Sequence, residues 1–289
     1  MELPNLLSID VEDWFHILDV PSTPGYDQWD RLPSRLENNF IRLLDIVEAG
    51  AAQATCFCLA WTARRFPHLL READRRGHEI ASHGCAHELV YRQSREAFSR
   101  DIREAKQILE DAIGKPIWGY RAPGFSVTEQ TPWFFETLCE AGYRYDSSVF
   151  PTPRGHGGLL SGWEEPHRLQ TPVGELREFP ITTTTWFGKR FCFSGGGYFR
   201  LFPYGLIARE TRKLNRKGVP VVVYIHPREI DPEQPRMAMS FYRRFKSYVN
   251  LHTTESKLRR LLRDFSFTSF QTYIETTEEE ARRRGNEPE

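Results

Sequence analysis

Glu79-Ile80-Ala81-Ser82-His83-Gly84-Cys85-Ala86-His87 is a short apolar run that stops on a histidine, with a second histidine four residues later. A strand that delivers a ligand-type side chain at its C-terminal end puts it where α/β barrels build their active sites. If His83 to His87 form a helical turn, the two imidazoles share a face and reach one divalent cation. A pair at this spacing also serves as a structural clamp, so its reading depends on whether a carboxylate arrives from elsewhere.

Outward toward the N-terminus, Ala54-Thr55-Cys56-Phe57-Cys58-Leu59 reads as another strand, and Leu6-Leu7-Ser8-Ile9 as a third that ends on Asp10-Val11-Glu12-Asp13. Period-two alternation turns Asp10 and Glu12 to one side, and Asp13 begins the loop. A solvated acidic turn is the alternative. Between these strands the spacing predicts helices over 35–48, capped by Ser34 and stopped by Gly50, and over 60–76.

Outward toward the C-terminus, helices are expected over 94–113, 131–141, 204–217 and 255–265. Strands are expected over 117–120, leading into Arg121-Ala122-Pro123-Gly124-Phe125, over 143–148 around Asp146, and over 176–182 and 267–270. The Pro, Gly and His-rich stretch 150–174 reads as a loop folded over the site, with His156 and His167 as alternative ligands. Gly195-Gly196-Gly197 lacks a following Lys-Ser or Lys-Thr, so it reads as a tight turn placing Tyr198 and Phe199 rather than as a phosphate loop. The strongest strand, Val219-Pro220-Val221-Val222-Val223-Tyr224-Ile225, ends on His226, whose imidazole suits proton transfer near neutrality.

The chain of 289 residues has 39 basic and 39 acidic side chains, which excludes an overall electrostatic footprint for nucleic acid or an anionic membrane. Its 7 Trp, 11 Tyr and 20 Phe fill a core or supply platforms for sugar rings. Five cysteines without a Cys-x-x-Cys spacing suit a reducing compartment. With no leader pattern and no run near the ~18 apolar residues of a membrane span, a soluble, cytoplasmic protein is expected.

Taken in order, four segments resemble the polysaccharide deacetylase family, the NodB-like carbohydrate esterases: Ile9-Asp10-Val11-Glu12-Asp13, Ser82-His83-Gly84-Cys85-Ala86-His87, Arg121-Ala122-Pro123-Gly124 and Tyr224-Ile225-His226-Pro227. The opening Asp10-Val11-Glu12-Asp13-Trp14, with Gly197-Tyr198-Phe199-Arg200 and His226-Pro227-Arg228-Glu229, is similar to a bacterial subgroup associated with exopolysaccharide export clusters. The resemblance implies an α/β fold, a distorted (β/α) barrel with fewer than eight strands, of the seven-stranded type. It implies one domain over 1–274, with a subgroup extension from about 231, and the charge run over 275–289 reads as a disordered tail.

The activity implied is metal-assisted removal of N-acetyl groups from N-acetylhexosamine units of an exopolysaccharide or its precursor. Asp10 is then the general base, Arg121 its partner and His226 the general acid. A backbone N–H near residues 123–125 helps hold the oxyanion. One divalent ion, zinc first and cobalt, nickel or manganese as alternatives, sits on His83, His87 and either Glu12 or Asp13. The family's common opening has two adjacent aspartates, so the Asp10-Val11-Glu12-Asp13 spelling leaves the third ligand divided. Trp14, Phe125, Asp146 and Tyr198 are the expected substrate contacts, and Asp146 lacks the tryptophan that usually follows it. The partner is an N-acetylated glycan, with no nucleic acid and no membrane span. A peptidoglycan deacetylase, a small-amide (ureide-type) amidohydrolase and a non-catalytic carbohydrate-binding barrel are the alternatives.

Overall fold

β1 (Asn5–Val11) is buried along its whole length, and alternation divides its side chains between two cores. Leu7, Ile9 and Val11 join the cluster that faces the surrounding helices, whereas Leu6 joins a smaller, aromatic cluster inside the curl of the sheet. The structure, a computed structural model, describes residues 4–18, 20–152, 157–159, 163–186 and 188–285.

The other strands are β2 (Thr55–Cys58), β3 (Glu79–Ser82), β4 (Gly119–Tyr120), β5 (Tyr145–Asp146), β6 (His167–Thr171), β7 (Gly174–Glu178), β8 (Thr183–Trp186), β9 (Lys189–Cys192), β10 (Val222–Ile225) and β11 (Phe267–Thr268). The main sheet runs β10-β1-β2-β3-β4-β5-β7-β6, with β11 beside the start of β1. Along the path from β10 to β7 seven strands run parallel, β11 adds a short eighth parallel strand on β1, and β6 folds back as a hairpin, so the described sheet has nine strands, curled as the expected barrel type requires. Because β10 and β11 both pair with β1, the first strand and two late ones build one end of the sheet together.

Helices α1 (Leu36–Ala49), α2 (Ala60–Arg65), α3 (Pro67–Arg75), α4 (Arg95–Ile113), α5 (Phe134–Glu140), α6 (Gly196–Leu201), α7 (Tyr204–Asn215), α8 (Phe241–Tyr248), α9 (Leu251–Asp264) and α10 (Phe270–Gly285) complete the described fold. The single helix expected over 60–76 is two, because Pro67 at a first helical position starts a new helix after Phe66. The tail expected to be disordered from Glu275 is helical through Gly285, and Arg177 of β7 bonds the Glu278 carboxylate at 2.7 Å. The stretch read as a covering loop contains β6, which carries His167 beside Trp163 in the hairpin at the sheet edge. His156 lies outside the described residues.

Candidate active site

Asp10 reaches the interior by the same alternation that buries Leu6 and Ser8 there, and Arg121 meets it from the end of β4. The guanidinium is fully buried. It donates from Nη1 to Asp10 Oδ1 at 2.6 Å and to Ser8 Oγ at 2.7 Å, from Nε to the Ser147 carbonyl at 3.0 Å and from Nη2 to Ser147 Oγ at 2.9 Å. Its flat face lies 4.1 Å from the Phe57 ring centroid. A buried ion pair is tolerated when its remaining donors find partners, and here four of the five N–H groups do. Ser8 and Ser147 carry no motif signal of their own. Only the strand register, which puts them beside Asp10 and Arg121, gives them a role.

The histidine pair does not lie on a helix. After β3 the chain passes through left-handed conformations at Gly84 (φ 77°) and His87 (φ 56°), and this coil brings the two ring centroids to 5.2 Å. His83 Nδ1–H donates to the Arg121 carbonyl at 2.7 Å, leaving its Nε2 lone pair facing Glu12 Oε1 at 3.4 Å. His87 Nε2 stands 3.0 Å from the same oxygen. One donor atom from each of Glu12, His83 and His87 falls within 4.8 Å of the others, and all three residues are buried. Two imidazoles with available lone pairs and a carboxylate form a donor set that fits a divalent ion.

Asp13 goes elsewhere. Its carboxylate accepts from Ser34 Oγ at 2.5 Å, from Trp14 N at 2.8 Å and from Arg35 N, joining the first loop to the start of α1. Being the first residue past the alternating run, it caps the turn that follows, and it does not share the point on which His83 and His87 converge.

His226 completes the constellation from β10, with Nε2 3.8 Å from Asp10 Oδ2 and 3.6 Å from Glu12 Oε1. Its other nitrogen, Nδ1, lies 3.0 Å from Glu229 Oε2, and Arg200 Nε donates to Glu229 Oε1 at 2.8 Å. Burial opposes charge on the imidazole, but the carboxylates of Glu12 and Glu229 outweigh it and raise the His226 pKa. Burial also opposes ionisation of Glu229, yet Arg200 and His226 bring it down to about 2. For Glu12, burial is likewise overcome by His87 and His226, so the carboxyl sits well below the ordinary range. Sequence reasoning overlooked Glu229 and Arg200. The signal was present in Pro227-Arg228-Glu229: a proline-initiated turn returns a side chain three residues on to the histidine that begins it.

These groups open into a cleft of about 790 Å³ lined by Asp10, Glu12, His87, Phe125, Tyr198, Tyr224, His226 and Arg228 among others. Phe125 stands edge-on to Tyr224 at 5.0 Å between centroids. Two expected substrate contacts do not line it. Trp14 donates its indole N–H to the Pro33 carbonyl, and His16, Ile17 and Leu18 reach the cleft instead. Asp146 pairs in register with Tyr120 and Glu178, so alternation turns it to the helix-facing side, where Ser148 supplies two hydrogen bonds. Burial next to each other raises both the Asp146 and the Glu178 carboxyls, and the pair retains a proton.

Residues 26–145 match the family model described as polysaccharide deacetylase. Over that segment the chain is similar to polysaccharide deacetylases. That segment holds His83, His87 and Arg121, while Asp10 and Glu12 precede it. His226 falls in residues 147–275, which match a model described only as a domain of unknown function, DUF3473. A peptidoglycan-N-acetylglucosamine deacetylase from Bacillus cereus is 30% identical over 103 residues, covering 36% of this chain and 46% of that protein. A putative polysaccharide deacetylase, YheN, from Bacillus subtilis is 27% identical over 105 residues, 36% of this chain and 37% of its own length. The chain thus spans less than half of either relative.

Among solved structures, a putative polysaccharide deacetylase from Mycobacterium smegmatis superposes with a TM-score of 0.64 at 20% identity, covering 96% of this chain and 90% of that one. An allantoinase superposes with a TM-score of 0.61 at 16% identity, covering 93% and 87%. At these identities the likeness is one of fold.

Proposed function

We propose that this chain hydrolyses the acetamide of N-acetylhexosamine units, releasing acetate and a free amine. The observation that carries the reading is the convergence of Asp10, Glu12 and His226 within 4.8 Å of one another in one cleft, with Asp10 braced from behind by Arg121 and His226 by Glu229. In this reading Asp10 removes a proton from the attacking water, and Arg121 fixes the carboxylate that receives it. His226, whose Nδ1 side is held by Glu229, gives its Nε2 proton to the departing nitrogen. Glu12, His83 and His87 hold one divalent cation, zinc first, which when bound polarises the acetyl carbonyl and acidifies water. Phe125, Tyr198 and Tyr224 offer flat apolar faces for sugar rings.

The Bacillus cereus relative supports N-acetylglucosamine as the sugar, and the Asp10-Val11-Glu12-Asp13-Trp14 resemblance supports a bacterial exopolysaccharide or its precursor as the polymer. The test measures free acetate from N-acetylglucosamine oligomers after chelator-stripped protein is reloaded with each divalent metal in turn. Metal-dependent acetate release is expected. Hydrolysis of a small ureide with no acetate from any oligomer would assign a small-amide hydrolase instead.

A further inference from the structure

α8 is poorly covered: Phe241, Tyr242 and Phe245 are 88%, 66% and 47% exposed, and Leu201 of α6, which packs beside it, is 44% exposed. At about 100° per residue, the exposed arc of α8 reads Arg244, Phe241, Phe245, Tyr242, Lys246 across its width, an aromatic stripe with one cation on each flank. Arg244 and Lys246 are exposed and have no carboxylate partner among the described residues. Lys246 Nζ instead lies 4.5 Å from the Tyr242 ring centroid. From Gln234 to Thr254 the sequence contains no acidic residue, so a chain with even overall charge carries a locally positive, apolar patch.

We propose that this exposed face of α8 docks on an anionic phospholipid surface, with Phe241, Tyr242 and Phe245 entering the interface and Arg244 and Lys246 meeting the headgroups. Aromatic side chains centred between long cationic ones are what an interfacial helix requires, because the stems of Arg and Lys lie along the apolar zone while their charges stay in the headgroup layer. A two-fold contact with a second copy would set these cations against their own equivalents, and no acidic side chain in the segment receives them. No described helix is long and apolar enough to cross a membrane, and the proposed contact needs none.

The docking face is rigidly tied to the cleft. Arg200, which braces Glu229, also donates to the carbonyls of Lys246, Ser247 and Val249, fixing the C-terminal end of α8. Tyr242, Phe245, Lys246 and Leu201 line the cleft itself, so docking presents its mouth to the bilayer and to glycans carried on lipid. That consequence for the substrate rests on the deacetylase reading. The docking does not.

Sedimentation with vesicles of phosphatidylcholine alone, or of equal parts phosphatidylcholine and phosphatidylglycerol, tests it without any turnover. The protein should partition onto the anionic vesicles and not the neutral ones, and salt should weaken the binding. Arg244→Glu should lower the partition roughly tenfold or more, and Phe241→Ser roughly tenfold. Both residues are exposed and lie outside the cleft lining, so acetate release from soluble oligomers should stay at the wild-type level. No partition onto anionic vesicles, or equal partition of wild type and both variants, overturns the proposal. So does a dimer that Phe241→Ser disperses in a protein that ignores vesicles, which would assign the patch to a second copy.

Discussion

Glu12 and Asp13 are neighbours with one carboxylate each, and their difference is set by a single step of the backbone. Glu12 continues the alternation of β1 into the interior, whereas Asp13 turns back to cap a loop. Glu12→Gln should therefore abolish tight binding of one divalent ion, as should His83→Ala. Asp13→Asn should leave the stoichiometry intact and cost about 1 kcal/mol of stability, the usual scale for a weakened cap. Metal analysis after gel filtration and a denaturant titration separate these outcomes, and loss of metal from the Asp13 variant alone would reverse the assignment. His226 is tuned by Glu229 in the same local manner. The acid must be charged to donate, and the Glu229 carboxylate on Nδ1 favours that form, so kcat falls as pH climbs through the His226 pKa. Glu229→Gln removes the stabilising anion, so the alkaline limb of the kcat profile should move to lower pH and kcat should drop roughly tenfold. An unmoved limb would show that Glu229 only packs.

The elements explain why some parts of the fold were legible in the sequence and others were not. β3 and β10 were plain because apolar runs ending on a histidine have only one economical reading in a parallel sheet. β6, β8 and β9 were not, since hairpin strands with half-exposed faces, such as His167–Thr171, lack a continuous apolar run. α8 escaped for a related reason: its aromatic residues face outward, so no inward stripe marks it. The glycine run, which reads as a tight turn, is instead the N-cap and first turn of α6, and the reason for glycine there is steric. A Cβ on Gly195 would lie 2.0 Å from Tyr224 Cδ1, inside a ring that lines the cleft. Gly195→Ala should therefore destabilise the protein by about 2 kcal/mol or more, measurable as a lower denaturation midpoint. Between β5 and β7, the proton retained by Asp146 and Glu178 couples stability to pH. Carboxyls raised in the folded state contribute stability that is complete below the ordinary carboxylate range and is lost as pH rises through their folded pKa values. Glu178→Gln supplies a permanent N–H in place of the shared proton, so its unfolding free energy should fall less between about pH 4 and 7 than that of the wild type. Parallel slopes would contradict the shared proton.

Over the whole molecule, the site exists only because the chain's ends meet. Asp10 and Glu12 come from β1 and His226 from β10, adjacent in register Ile9↔Ile225, while His83 and Arg121 follow β3 and β4. The four motifs could be read in order from the sequence, and the Pro227 turn signalled Glu229, but the other braces could not be read, because Ser8, Ser147 and Arg200 acquire their roles only through register and packing. The account divides the labour between a metal-holding trio and an acid–base pair, and one comparison tests that division. Acetate release and bound metal are measured together for the wild type and Asp10→Asn. The account predicts that Asp10→Asn retains one divalent ion per chain while acetate release from N-acetylglucosamine oligomers falls at least ~100-fold. A variant that keeps full activity, or loses the metal along with it, would contradict the role given to Asp10.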